Sequence, residues 1–185
     1  MEKYDIQNFS DVWSRVISES GAAQSETRAL PKASVSIETS ELPDILPPDM
    51  SLHGIKSDVT LLCRFIKGEA ADAKYYNAMA IRCRQNRTVF HRLSADEANH
   101  EKQLRAAYFI LTGDCCGLNK DNFRITSLSD ALRMRYIKET EGSFAYIEAA
   151  RSAESENLRR LYTRIAADEK HHADVIEELI EHMVC

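Results

Sequence analysis

Residues 93–104 read Leu-Ser-Ala-Asp-Glu-Ala-Asn-His-Glu-Lys-Gln-Leu, and residues 165–176 read Ile-Ala-Ala-Asp-Glu-Lys-His-His-Ala-Asp-Val-Ile. The two stretches share one motif, Asp96-Glu97-x-x-His100 in the first and Asp168-Glu169-x-x-His172 in the second. Residues three apart on an α-helix lie on the same face, so each Glu and its His point one oxygen and one nitrogen the same way. Both motifs also sit inside apolar stripes of helical period. The first runs Val89, Leu93, Glu97, His100, Leu104, Ala107, Leu111, and the second Leu158, Tyr162, Ile165, Glu169, His172, Ile176, Leu179, Met183. An acid and an imidazole where an apolar side chain belongs are the mark of a buried metal site.

Each motif is preceded by another helical stripe that carries one further acid. Leu62, Phe65, Ile66, Glu69, Ala73, Tyr76 and Ala80 form one, and Leu128, Leu132, Tyr136, Glu139, Ser143, Tyr146 and Ala150 the other. Glu69 and Glu139 stand 70 residues apart, as do Tyr76 and Tyr146, and Glu97 and Glu169 stand 72 apart. The chain therefore contains an internal repeat, Glu-x6-Tyr-x3-Ala followed one helix later by Asp-Glu-x-x-His. The expected fold is all-α, a four-helix bundle of two antiparallel hairpins related by a pseudo-twofold axis through the site.

The turns are expected near Arg84 to Arg92 and near Ala153 to Glu156. A Gly- and Asn-containing segment, residues 113–126, is expected to link the hairpins. Extended at roughly 3.3 Å per residue, it reaches about 45 Å. A helix of about 26 residues is about 39 Å long, so a single long crossover is allowed.

Around this bundle, all four prolines (Pro31, Pro43, Pro47, Pro48) fall before residue 50. Residues 1–50 read as an extension and 51–185 as the bundle. Phe9, Val12, Trp13, Val16 and Ile17 predict a short amphipathic helix from about Ser10 to Ser20 within that extension.

At 185 residues and a formal net charge of −5, with Lys and Arg scattered, the chain lacks the basic stripe of a nucleic-acid binder. No segment approaches the roughly 20 apolar residues of a membrane span, and Met1-Glu2-Lys3-Tyr4-Asp5 is not followed by a signal-peptide apolar core. The protein is expected to be cytoplasmic, with neither nucleic acid nor membrane as a partner. Five cysteines without a C-x-x-C pair predict neither a disulfide framework nor a rubredoxin-type iron site, and vicinal Cys115-Cys116 is read as inert.

Charge counting sharpens the site. Glu69, Glu97, Glu139 and Glu169 would bring −4 into a core where each unpaired ion costs several kcal/mol. Two divalent cations cancel it, and His100 and His172 add neutral nitrogen ligands. Oxygen-rich ligation with one imidazole per ion suits iron or manganese better than a thiolate-preferring metal, and zinc is a further alternative. Glu97 and Glu169 are expected to bridge, with Glu69 and Glu139 terminal. Asp96 and Asp168 are expected to accept the outward N–H of a ligand imidazole across the pseudo-twofold axis. Tyr76 and Tyr146 are expected either to bond a glutamate of the facing helix or to serve as core residues. His53, His91, His171 and His182 lack such partners and read as surface or core residues.

This arrangement resembles the ferritin-like di-iron carboxylate superfamily over about residues 55–185, with a ligand set similar to those of rubrerythrin and bacterioferritin. The chain lacks the four-Cys rubredoxin domain of full-length rubrerythrins. It has Tyr136 where they usually carry an extra glutamate, one turn before the third-helix ligand. Only 13 residues follow His172, whereas bacterioferritin cages usually need a fifth short helix. The resemblance implies a homodimer and a di-iron oxidoreductase of ferroxidase or peroxidase type, reacting with O2 or hydrogen peroxide and served by an unidentified electron donor. The alternatives are a non-catalytic iron-binding or metal-delivery protein and a bundle that keeps the metal as a structural staple.

Overall fold

The computed structural model describes residues 52–118, 123–125 and 127–184, and the amphipathic segment expected near Ser10 to Ser20 lies outside them. Four helices follow one another: α1 (Leu52–Arg82), α2 (Arg87–Thr112), α3 (Leu128–Ser152) and α4 (Glu156–Val184), with no strand among the described residues. Helix α1 packs on α2 and α3 packs on α4 as two hairpins, and α2 meets α4 across the bundle.

The first turn is shorter than the sequence predicts. It spans Cys83 to Asn86 rather than reaching Arg92, and α2 already runs from Arg87. Phe90 is fully buried and its N–H reaches Asn86 O at 3.1 Å, so the chain is already helical there. The arginines at 87 and 92 lie on the exposed face of the first turns of a helix. The second turn, Ala153 to Ser155, begins at a buried Ala153. Helix α2 ends on Gly113 at φ 71°, a left-handed conformation that strains any residue with a Cβ, and the Gly113 N–H bonds Phe109 O at 2.7 Å. Helix α3 starts at Ser127, whose hydroxyl accepts the Asp130 N–H at 3.1 Å.

Two hydrogen bonds fix the topology. Tyr76 of α1 donates to Glu139 of α3, and Tyr146 of α3 donates to Glu69 of α1. The register runs in opposite senses, so α1 and α3 are antiparallel. Each hairpin is antiparallel within itself, so α2 and α3 point the same way and the connection must travel the length of the bundle. Its described residues track α1: Cys116 is disulfide-bonded to Cys63, Phe123 packs on Tyr75, and Ile125 O accepts from Arg82.

The disulfide corrects the sequence reading, which expected no disulfide framework and took Cys116 as inert. Its two cysteines are 53 residues apart, on α1 and in the crossover, and only the path of the chain brings them together. Cys115 stays a free, exposed thiol and Cys83 a free, half-buried one.

The core runs along the bundle on both sides of the acidic cluster. Toward one end lie Tyr75, Met79, Ala80, Phe90, Leu132 and Ile176. Leu62, Phe65, Ile66, Leu104, Leu158, Leu161 and Ile165 are buried as well. Each hairpin is further tied by one serine: Ser94 Oγ donates to Ala73 O at 2.7 Å, and Ser143 Oγ to Ala166 O at 2.9 Å. Position 143 repeats position 73, and 166 repeats 94, so the bond recurs with its donor moved to the other helix. None of the described helices is long and apolar enough to cross a membrane.

Candidate metal centre

The four helices bring Glu69, Glu97, His100, Glu139, Glu169 and His172 into one buried cluster. Their ligand atoms form two groups, each lying within 4.8 Å of one another. Glu69, Glu97, His100 and Glu169 make the first, and Glu97, Glu139, Glu169 and His172 the second. Glu97 and Glu169 belong to both. Each remaining glutamate and each histidine belongs to one.

The imidazoles are oriented from behind. His100 turns Nε2 to Asp168 Oδ2 at 3.2 Å, and His172 turns Nε2 to Asp96 Oδ2 at 3.6 Å. Each aspartate comes from the other helix of the pair, so the contacts exchange across the pseudo-twofold axis. Both Nδ1 atoms face the interior. That of His100 lies 3.3 to 3.5 Å from oxygens of Glu169, Glu97 and Glu69. That of His172 lies 3.1 Å from Glu97, 3.6 Å from Glu139 and 4.0 Å from Glu169.

Whether the donor set fits a metal is tested by its unsatisfied atoms. Glu97 Oε1 and Oε2, His100 Nδ1, Glu139 Oε2, Glu169 Oε1 and His172 Nδ1 are all buried without a hydrogen-bond partner. A buried unpaired polar atom costs about 1–3 kcal/mol, more when charged. Six converging on one point, all lone-pair donors when deprotonated, fit divalent cations.

Without metal, protons must hold the charge. Burial pushes Glu69 up to about 8 and Glu169 up to about 10. Burial acts the same way on Glu97 and Glu139, but is outweighed. His100 and His172 hold Glu97 below the usual carboxylate range, and His172 and Arg135 do so for Glu139. Burial opposes charge on both imidazoles and is likewise outweighed. Asp168, Glu169, Glu69 and Glu97 raise His100 far above its ordinary value, and Asp96, Glu139 and Glu97 raise His172 to about 12.

Two residues that touch the cluster glutamates, Arg135 and Gly142, carry no clear signal in the sequence. Arg135, buried and one turn before Glu139, donates from Nε to Glu139 Oε1 at 3.1 Å and from Nη2 to the same oxygen, while Nη1 reaches Asp72. Its guanidinium carbon sits 4.6 Å from the Tyr76 ring centre. The visible signal was an Arg four residues before a stripe glutamate, but an arginine on a helix is exposed by default. Tyr136, the residue singled out beside it, is half-buried against the apolar core. Gly142 was also missed. A Cβ there would lie 2.9 Å from Glu169 Oε2, so the glutamate occupies space that only glycine leaves.

His91, His171 and His182 are exposed, and the side chain of His53 lies outside the described residues. Comparison with protein-family models, with curated proteins and with solved structures finds no match to this chain.

Proposed function

We propose that the protein is a dinuclear iron oxidoreductase of the ferritin-like type, reacting with O2 or hydrogen peroxide. One observation carries this reading: two overlapping four-residue donor groups share Glu97 and Glu169. Sharing two carboxylates between adjacent groups is what a bridged pair of ions requires, and a single ion would leave two or three of the six unpaired atoms unused.

In this reading Glu69 and His100 complete one position, Glu139 and His172 the other, and Glu97 and Glu169 serve both. Iron bound there would supply the redox chemistry, which no protein side chain in the cluster provides. The chain's own part is positional. Asp168 and Asp96 hold the imidazoles with Nδ1 inward, fixing the tautomer and raising ligand basicity. Tyr146 and Tyr76 each hold one oxygen of Glu69 and Glu139, leaving the other free to ligate. Phe65, Leu104, Leu132 and Ile165 are buried and help exclude bulk water. Oxygen-rich ligation with one imidazole per ion favours iron or manganese over a thiolate-preferring metal.

The test is metal content on protein produced with iron, followed by repeated additions of peroxide and reductant. The expected result is about two irons per chain and a ferric absorption band that appears and fades in every cycle. Bound iron that oxidises once and never cycles would turn the assignment to iron binding or delivery, and less than one metal per chain would remove it. Glu97→Ala should abolish paired binding, because both positions lose a shared ligand.

A further inference from the structure

The repeat aligns the two halves of the cluster at an offset of 70 residues, which sets Phe65 against Arg135 and Asp72 against Gly142. The halves are therefore not copies. Around Glu69, Tyr146 packs on Phe65 with ring centres 4.0 Å apart and donates its hydroxyl to Oε1. Around Glu139, Tyr76 packs under Arg135 and also donates to Oε1, and the guanidinium gives the same oxygen two more N–H groups.

A carboxylate oxygen has two lone pairs. Three donors on Glu139 Oε1 leave it nothing to offer a cation, so Glu139 can ligate through Oε2 alone, the oxygen that is buried and unpartnered. Glu69 Oε1 accepts from Tyr146, so Glu69 keeps a lone pair there and can chelate through both oxygens. A fixed positive charge, 2% exposed, also stands behind Glu139, where the other half has a phenyl ring. The counter-charge, Asp72, is on the far side of the guanidinium and partly open to solvent.

We infer that the two metal positions are unequal once their ligands are deprotonated: the Glu69–His100 position fills first and tightly, the Glu139–His172 position second and weakly, and Arg135 is the positioning residue that sets the difference. This inference rests on the dinuclear reading above. One charge at this range is worth about one to three pKa units to a neighbouring proton. A divalent cation feels the same potential with twice the charge, so the two steps should differ about tenfold or more.

The experiment titrates the metal-free protein with Mn(II) in mildly alkaline buffer, following free ion by electron paramagnetic resonance and heat by calorimetry. Wild type should bind two ions in two resolved steps. Arg135→Leu should tighten the second step and bring the two within about threefold, and Arg135→Lys, which keeps the charge, should hold them apart. Glu69→Ala should remove the tight step, and Glu139→Ala only the weak one, which keeps the test decisive should Arg135→Leu not fold. Two ions bound with equal affinity by wild type, an unchanged gap in folded Arg135→Leu, or loss of the tight step in Glu139→Ala would each overturn the inference and leave the dinuclear reading standing. No Mn(II) binding at all would overturn both.

Discussion

If the cluster holds two divalent ions as proposed, metal loading should expel protons, and the number can be worked out from its side chains. At pH 7 the metal-free protein holds a proton on each of four ligands: Glu69, raised to about 8, Glu169, raised to about 10, His172, raised to about 12, and His100, raised further. Glu97 and Glu139, held below the usual range, stay ionised. Two carboxylates then face two imidazoliums and the core is neutral. Two divalent ions need all six ligands deprotonated, so about four protons leave as four positive charges arrive, and neutrality is kept. Each released proton makes affinity change about tenfold per pH unit, so the mean affinity per ion should rise about hundredfold per unit near neutrality. The slope should soften above pH 8, where Glu69 has lost its proton beforehand. Stability of the metal-free protein follows from the same shifts. A raised pKa gives stability that is complete below the unfolded value and lost as pH climbs through the folded one. For Glu69 that window runs from 4.5 to about 8, for Glu169 from 4.5 to about 10 and for His172 from 6.5 to about 12. Glu97 and Glu139 act in the opposite sense, stabilising above 4.5 and ceasing to do so as pH falls through their lowered values. The metal-free melting temperature should therefore peak in mildly acidic solution and fall toward pH 9, whereas added Mn(II) should stabilise most at the alkaline end. Calorimetric titration at pH 6.5 in two buffers of different ionisation enthalpy counts the protons directly. Release of fewer than about two protons per pair of ions, or a metal-free melting temperature that climbs from pH 5 to pH 9, would refute the reasoning.

Three substitutions probe the framework of the cluster. Gly142→Ala should split stability from binding. The helix gains about 1 kcal/mol from the better helix former. The new methyl meets Glu169 Oε2 at 2.9 Å and must push it aside, so the metal-free protein should melt a few degrees higher while Mn(II) affinity falls about tenfold or more. Asp168→Ala should cost about 10- to 100-fold in metal affinity by releasing the His100 ring. Asp96→Ala should cost less, since its contact with His172 is 3.6 Å against 3.2 Å, and equal losses measured by titration would contradict the geometry. Cys63→Ser, or reduction of the Cys63–Cys116 bond, should lower stability by about 2–4 kcal/mol in denaturant melts, since it frees a 53-residue loop in the unfolded chain. A variant as stable as the oxidised protein would show that the crossover is held by packing alone.

Much of this protein can be read from the order of its residues, because helix periodicity and a repeat are both local or additive properties of a chain. Apolar stripes broken by Glu69, Glu97, Glu139 and Glu169 predict four helices with acids facing inward, and four such helices form the bundle. The 70-residue offset pairs Tyr76 with Tyr146, and the bonds those tyrosines make to Glu139 and Glu69 show that α3 runs antiparallel to α1. Other features depend on which surfaces meet. The start of α2 was hidden because exposed arginines look alike in a loop and on a helix, and only the buried Phe90 separates the cases. Cys63 and Cys116 carry no spacing signal, and their bond exists because the crossover runs back along α1. Gly142 is an unremarkable helical glycine until Glu169 lies against it. Arg135 can be seen four residues from Glu139, yet its burial beneath Asp72 and over Tyr76 requires residues 63 and 59 positions away in the chain. Sequence alone turned the four glutamates and two histidines inward, since that depends on periodicity. Tertiary structure decided how their charges are shared, since electrostatic coupling depends on distances through space that no spacing along the chain encodes.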